Sequence, residues 1–267
     1  MKHVYLAPHL DDAVLSCGGA MHRQRRAGEA VLALTIFAGE PMPGEALSPF
    51  ALEQHAYWGT PARPARLRRA EAAAALALLD AGAEHLDLLD AVYRSTPAGL
   101  WPYSGREALF APPHRDDPIS PRALAEALAE RLPPEDGLTL YAPLAVGRHV
   151  DHQVVHLAAR HLLAMGYRLG FYEDYPYVEA PGALEEALEQ SPFEGWQRRV
   201  VALEAADLAA KVTALAYYRS QMWILFGGAE AMPSRVWAFA AGRCPEAPLA
   251  ECTWWAPGDG RPAEGEA

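Results

Sequence analysis

Two short clusters gather the residues of this chain best suited to chemistry: Pro8-His9-Leu10-Asp11-Asp12 and His149-Val150-Asp151-His152. Each follows an apolar, strand-like run, Val4-Tyr5-Leu6-Ala7 in the first case and Leu138 to Leu144 in the second, and each opens a helix-like stretch. In open α/β proteins, ligands and catalytic groups collect at the carboxyl ends of the strands. Imidazole nitrogen and carboxylate oxygen are donors for zinc, and a catalytic site uses three of them while keeping a fourth position open. His9 and Asp12 stand one helical turn apart and can converge on one point; His149 and His152 have the same spacing. Two such clusters offer three ligands to one metal and leave an acid and a histidine over, the parts of a metal hydrolase. A rival triad of His149, His152 and His156 would leave the first cluster without a role, and His156 reads better as a buried histidine.

The elements that must position these residues can be read from pattern. Residues 2–8 read as a buried strand, 12–27 as a helix with Asp11 or Asp12 near its N-cap and Gly28 near its end, and 31–37 as a second strand. Strand, helix and strand in this order form a βαβ unit with a parallel pair. Helices are expected at 66–81, 121–131, 151–165, 204–219 and 233–241, and further strands at 85–89, 138–143 and 168–173. The result is a three-layer, Rossmann-like α/β fold with a mainly parallel sheet flanked by helices. No repeat or linker divides the chain, so residues 1–255 are expected to form a single domain. Residues 256–267, rich in Pro, Gly and Glu, read as a disordered tail. Gly18-Gly19 lies inside a helix and not at a strand-to-helix turn, which points to close packing and not to a dinucleotide fingerprint.

Composition narrows the function classes. The net charge of −11 argues against a nucleic-acid surface, which needs a basic face. Only Lys2 and Lys211 are lysines among the 23 basic residues; the rest are arginines, as a GC-rich coding sequence would produce. Three cysteines (Cys17, Cys244, Cys252) without a CxxC pair make neither a disulfide framework nor a structural zinc site. The first apolar run is short and leads straight into Asp11 and Asp12, unlike a secretory leader. No run approaches the ~18 apolar residues of a membrane span. The expectation is a cytoplasmic protein without a membrane span, compatible with assembly into homo-oligomers.

The paired motifs carry a resemblance. PHxDD near the N-terminus, the small-residue stretch Ser16-Cys17-Gly18-Gly19, Arg68-Arg69-Ala70-Glu71 at the start of an alanine-rich helix, and a later HxDH resemble the GlcNAc-phosphatidylinositol de-N-acetylase family, the PIG-L/LmbE-like zinc deacetylases. The likeness covers roughly residues 2–160. It implies Zn2+ held by His9, Asp12 and His152, with Fe2+ suited to the same N/O donors. It also implies Asp11 as general base and His149 as the acid or oxyanion stabiliser, with Asp151 supporting the ligands from behind. The implied reaction is removal of an acetyl group from an N-acetylated amino sugar, such as an N-acetylglucosamine conjugate, by a zinc-activated water. A tyrosine often precedes HxDH in the family; this chain has Gly147-Arg148 there, and a tyrosine from 172–177 would have to replace it.

Two connections, 38–65 and 90–120, exceed the ~12–15 residues of a plain loop. With their aromatics they read as walls of a pocket, joined by the aromatic stretch 171–177. Candidate substrate contacts are Arg68, Trp58, Trp101, Tyr103 and Tyr175. Other readings of the same residues are a metal hydrolase of a different amide or ester, and a non-catalytic carbohydrate- or nucleotide-binding module on the same fold. A binding module would have no use for Asp11.

Overall fold

A computed structural model describes residues 1–59, 64–191, 193 and 195–257. Strands β1 (Lys2–Ala7) and β4 (Leu138–Pro143) lie side by side at the centre of a seven-stranded sheet of order β3-β2-β1-β4-β5-β7-β6. The other strands are β2 (Ala30–Thr35), β3 (Gly82–His85), β5 (Leu169–Tyr172), β6 (Gln197–Ala202) and β7 (Ala250–Trp255). The five strands from β3 to β5 are parallel, whereas β7 pairs antiparallel with both β5 and β6. All six residues of β4 and five of the six of β1 are buried, as expected for central strands covered on both faces.

Helices cover both faces. On one side α1 (Asp12–Arg26), α3 (Pro64–Leu78), α8 (Ala205–Leu215) and α10 (Met232–Gly242) share a core with Tyr5, Val14, Leu76, Leu208 and Val236. On the other, α5 (Pro121–Arg131) and α6 (Val150–Ala164) pack Leu124, Leu128, Val155 and Leu162 against Val4, Leu6 and Leu140. Alternate residues of β1 thus feed opposite layers, the period-2 rule of a strand. The chain leaves β1 toward α1 on one face and leaves β4 toward α6 on the other. The strand order reverses there, and a crevice opens between the two strand ends.

Gly18 and Gly19 let α1 approach its neighbours. A methyl group at Gly18 would stand 2.9 Å from Lys211 Cγ, and one at Gly19 2.6 Å from Leu203 Cδ1. Glu251 of β7 closes this contact, accepting the Gly19 and Ala20 amides at 3.1 and 2.8 Å and pairing with Lys211 at 2.7 Å. The close-packing reading of the glycine pair therefore holds.

Several expected elements shift and others are new. The third strand forms at 82–85 and not 85–89, because Asp80 at φ 55° ends α3 early and pairing with Leu32–Thr35 sets the register. Strands β6 and β7, helix α2 (Pro49–Tyr57) and the short helices α4 (Arg106–Leu109), α7 (Ala183–Glu189) and α9 (Met222–Phe226) were not anticipated. Of the expected tail, Ala256 is buried, and 258–267 lie outside the described residues. Among the described residues, no helix is long and apolar enough to cross a membrane.

His156 lies buried on α6, with Nδ1–H donating to the Pro143 carbonyl at 3.0 Å and the ring against Phe171. Burial pushes its pKa down to about 4, below the ordinary value of about 6.5. The unfolded chain therefore binds the extra proton first as pH falls. The stability tied to neutral His156 is complete above pH ~6.5 and is lost progressively toward pH ~4, about 3 kcal/mol in all. His156→Gln should flatten that part of the unfolding profile; denaturant melts at pH 7 and pH 4.5 showing an unchanged slope would refute this.

Candidate active site

The loop after β1 carries His9 and Asp11 into the first turn of α1, which Asp12 opens, and the loop after β4 carries His149 into the first turn of α6, where Asp151 and His152 follow. The second loop turns sharply, with Ala145, Gly147 and Arg148 all at positive φ (66°, 79° and 63°). Two of these are not glycine, a conformation costing on the order of 1–3 kcal/mol each and typical of sites where geometry is imposed.

One carboxylate oxygen is the hub. Asp12 Oδ2 accepts the His9 backbone N–H at 2.7 Å and lies 3.3 Å from both His9 Nδ1 and His152 Nε2. The far nitrogen of each ring is held by another buried acid: His9 Nε2 meets Asp151 Oδ2 at 3.0 Å, and His152 Nδ1 meets Asp174 Oδ1 at 2.6 Å. Asp174 is itself fixed by the Val146 amide at 2.8 Å, and Asp151 by the Ala91 amide at 3.1 Å and Arg94 Nη1 at 2.7 Å. Imidazoles that donate one N–H to a carboxylate are oriented and made better donors through the other nitrogen. The nitrogens left over, His9 Nδ1 and His152 Nε2, are the two that face Asp12.

Charge in the cluster follows from these contacts. Burial alone would lower the His9 pKa, but the Asp12 and Asp151 contacts and the Asp90 charge carry it well above the ordinary histidine value. His152 is likewise raised against burial, to about 9, by Asp12 and Asp174. Asp12 is held well below the usual carboxylate range, despite burial, by His152 and His9. Asp11 goes the other way: burial pushes its pKa up, only partly countered by Arg68 at 3.3 Å. Arg68 pairs with Asp11 and Arg94 with Asp151, while Asp12, Asp90 and Asp174 are met by the His9 and His152 rings, whose protons a divalent cation would replace.

Ligand atoms of His9, His149 and His152 lie within 4.8 Å of one another, as do those of His9, Asp90 and Asp151. Either group could hold a metal ion by distance alone, but hydrogen bonding separates them. His149 N-caps α6, its Nδ1 accepting the Asp151 amide at 3.3 Å, which puts the ring proton on Nε2. Asp151 is already taken by Arg94, Ala91 and His9. Burial, with the His9 charge adding to it, drives the His149 pKa well below its ordinary value, so its ring is neutral.

His9, Asp11, Asp12, Asp90 and His149 form the floor of a cleft of about 560 Å³. Both long connections wall it, Phe50, Tyr57 and Trp58 from the first and Val92, Arg106 and Phe110 from the second. An apolar cluster of Ala51, Val92, Tyr93, Tyr103, Leu109 and Val150 ties the described parts of both to the start of α6. Arg68, Trp58 and Tyr175 line the cleft, with the Arg68 guanidinium 5.1 Å over the Trp58 ring. Trp101 and Tyr103 do not line it. Tyr103 is buried, its hydroxyl donating to Asp117 at 2.5 Å and accepting the His114 amide at 3.0 Å, so it holds the wall together from within. Trp101 is half-buried and outside the lining.

Tyr177 lines the cleft beside His152 and Phe110. Its ring would stand 2.7 Å from a Cβ at position 147, so glycine there makes room for it. Arg94, Asp174, Asp90 and the α9 residues Trp223 to Leu225 went unread in the sequence. Their only local signals were a lone arginine and two acids in irregular segments, and an unbroken apolar run. Glu71 of the Arg68-to-Glu71 stretch accepts the Ser220 amide and hydroxyl at 2.9 and 2.6 Å, and Arg69 binds the Ala38 carbonyl. Both are structural ties, not a solvated pair.

Known proteins resemble most of this chain in sequence and fold. A 2'-N-acetylparomamine deacetylase of Niallia circulans is 27% identical over 236 residues, 84% of this chain and 82% of that protein. One from Streptomyces fradiae is 33% identical over 206 residues, 72% of this chain and 65% of that protein. The crystal structure of a zinc-inhibited form of teicoplanin deacetylase Orf2 superposes with a TM-score of 0.77 at 26% identity, covering 95% of this chain and 97% of that one. Residues 4–163 match the model of the PIG-L family, GlcNAc-PI de-N-acetylase, and the chain belongs to that family.

Proposed function

We propose that this chain is a metal-dependent hydrolase that removes the acetyl group from an N-acetylated amino sugar or its conjugate. The observation that carries the reading is the convergence of His9 Nδ1 and His152 Nε2 on Asp12 Oδ2, each ring backed by its own buried acid. That donor set, two imidazoles and one carboxylate, suits zinc and also iron(II) once the inward imidazole protons have left. The named relatives are deacetylases of N-acetylparomamine and teicoplanin, which supports an N-acetylated conjugate as the small-molecule partner. A cytoplasmic location belongs to the same proposal.

His9, Asp12 and His152 would hold a divalent ion, which when bound would supply Lewis acidity toward the amide carbonyl and lower the pKa of a water from 15.7 to about 7. Asp11 lies beside this set, and its raised pKa favours taking a proton during attack and returning it to the departing sugar amine. Arg68 fixes the Asp11 carboxylate on one side. Neutral His149, with its proton on Nε2, is a hydrogen-bond donor for the developing oxyanion, a contact whose loss commonly costs ~10²–10³ in rate. Tyr177, in edge contact with the His152 ring, brings a hydroxyl to the same wall.

The test is acetate release from a panel of N-acetylglucosaminides, with simple amides and esters as comparison substrates, before and after chelation and zinc return. Acetate released from the sugars, abolished by chelator and restored by metal, is the expected outcome. Turnover confined to the simple esters would overturn the reading.

A further inference from the structure

Helix α9 is an unbroken apolar run, Met222-Trp223-Ile224-Leu225-Phe226, yet it buries only its two ends. Met222 and Phe226 enter the core, while Trp223 is 70% and Ile224 44% exposed. Both line the mouth of the catalytic cleft. On α2 the residues Phe50, Glu53, Gln54 and Tyr57 also line it, spaced along one helical face, and Tyr57 is 57% exposed. Large apolar side chains left in water beside a concave site mark a surface that a ligand covers.

Charge narrows the ligand. The exposed charges on the lining are one acid, Glu53, and one base, Arg106, while Arg68 is committed to Asp11. A polycationic sugar would find no acidic rim here, whereas an apolar group finds three uncovered apolar side chains. We propose that Tyr57, Trp223 and Ile224 form a subsite for an apolar aglycone, aryl or alkyl, carried by the amino sugar whose acetyl group reaches His9, Asp11 and Asp12. This rests on the deacetylase reading and adds the substrate class. The two α-helical segments then grip the aglycone while the floor of the cleft handles the amide.

The experiment compares benzyl and methyl glycosides of N-acetylglucosamine as substrates, by kcat/KM, and as ligands, by calorimetry. Wild type is set beside a Trp223→Ala/Ile224→Ser variant; both side chains are exposed, so the fold should survive. Wild type should favour the benzyl compound by at least about tenfold, the scale of small apolar groups in a pocket, and the variant should bring the ratio close to one. Equal handling of the two glycosides by wild type, or a ratio the variant leaves unchanged, overturns the subsite while the deacetylase reading stands. Preferential benzyl binding lost in the variant, without acetate release from either compound, keeps the subsite and removes the deacetylase reading. A benzyl preference that persists while the variant turns a dimer into monomers would assign the patch to a second copy of the chain and overturn the proposal.

Discussion

Asp12→Ala should lose metal and activity together, whereas Asp11→Asn should keep its metal and lose about 10²–10⁴ in turnover. The two acids are adjacent in sequence but differ in what they touch. Asp12 Oδ2 sits 3.3 Å from the inward nitrogens of both His9 and His152 and also anchors the His9 backbone. Removing it takes away a donor and the group that aligns the other two. Among the described residues Asp11 pairs with Arg68, at 3.3 Å, and asparagine keeps its shape while losing its basicity. Metal content by mass spectrometry and acetate release read the two effects separately. Equal metal loss in both variants would remove Asp11 from the role of base.

Arg94→Leu should destabilise the protein by about 3–5 kcal/mol, the cost of stripping one partner from a buried ion pair. The Arg94 side chain is 1% exposed and contacts Asp151 at 2.7 Å and Asp117 at 3.1 Å. Burial would raise the Asp151 pKa, and Arg94 together with His9 holds it below the usual carboxylate range. Without the guanidinium, Asp151 takes up a proton or shifts, and His9 loses the acceptor that orients its ring. Metal affinity should therefore fall ~10–100-fold, the usual effect of losing a group that orients a ligand. Urea melts measure the first effect and metal titration the second. As a control, breaking the exposed Arg122–Glu126 pair should leave stability unchanged. If Arg94→Leu behaved like that control, the Arg94–Asp151–His9 chain would not be what holds the histidine.

Helix α5 forms at 121–131 as expected, capped by Ser120 ahead of Pro121, and a like pair, Ser48-Pro49, opens α2 with the Ser48 hydroxyl accepting the Ala51 amide at 3.0 Å. The α2 signal is weak in the sequence because it lies within a long irregular stretch and has little amphipathic periodicity. Strands β6 and β7 escaped for another reason. β6 is an edge strand with a half-exposed, arginine-bearing sequence, and β7 follows a proline-containing loop, so neither alternates cleanly. Their pairing is antiparallel and set by contacts more than 40 residues apart in sequence, which no local window contains.

What the sequence determined by itself is the chemistry and its frame. Buried strands ending in His9-Leu10-Asp11-Asp12 and His149-Val150-Asp151-His152 are local features, dictated by apolar runs and by helix starts a few residues long. In a parallel α/β sheet both then stand at the carboxyl ends of strands; that β1 and β4 lie side by side is set by their long-range pairing. Only the tertiary structure decided which nitrogen of each histidine is available, because that depends on Asp151, Asp174 and Arg94 arriving from distant elements. It also decided the pocket walls. Tyr103 and Trp101 looked as suitable as Trp58 and Tyr175, since an aromatic in a long connection carries no record of which way it faces. Tyr103 turned inward because Asp117 and Arg94 give its hydroxyl and ring a buried polar partner, and burial of an aromatic with its polar end satisfied is more stable than leaving it at a wet cleft wall.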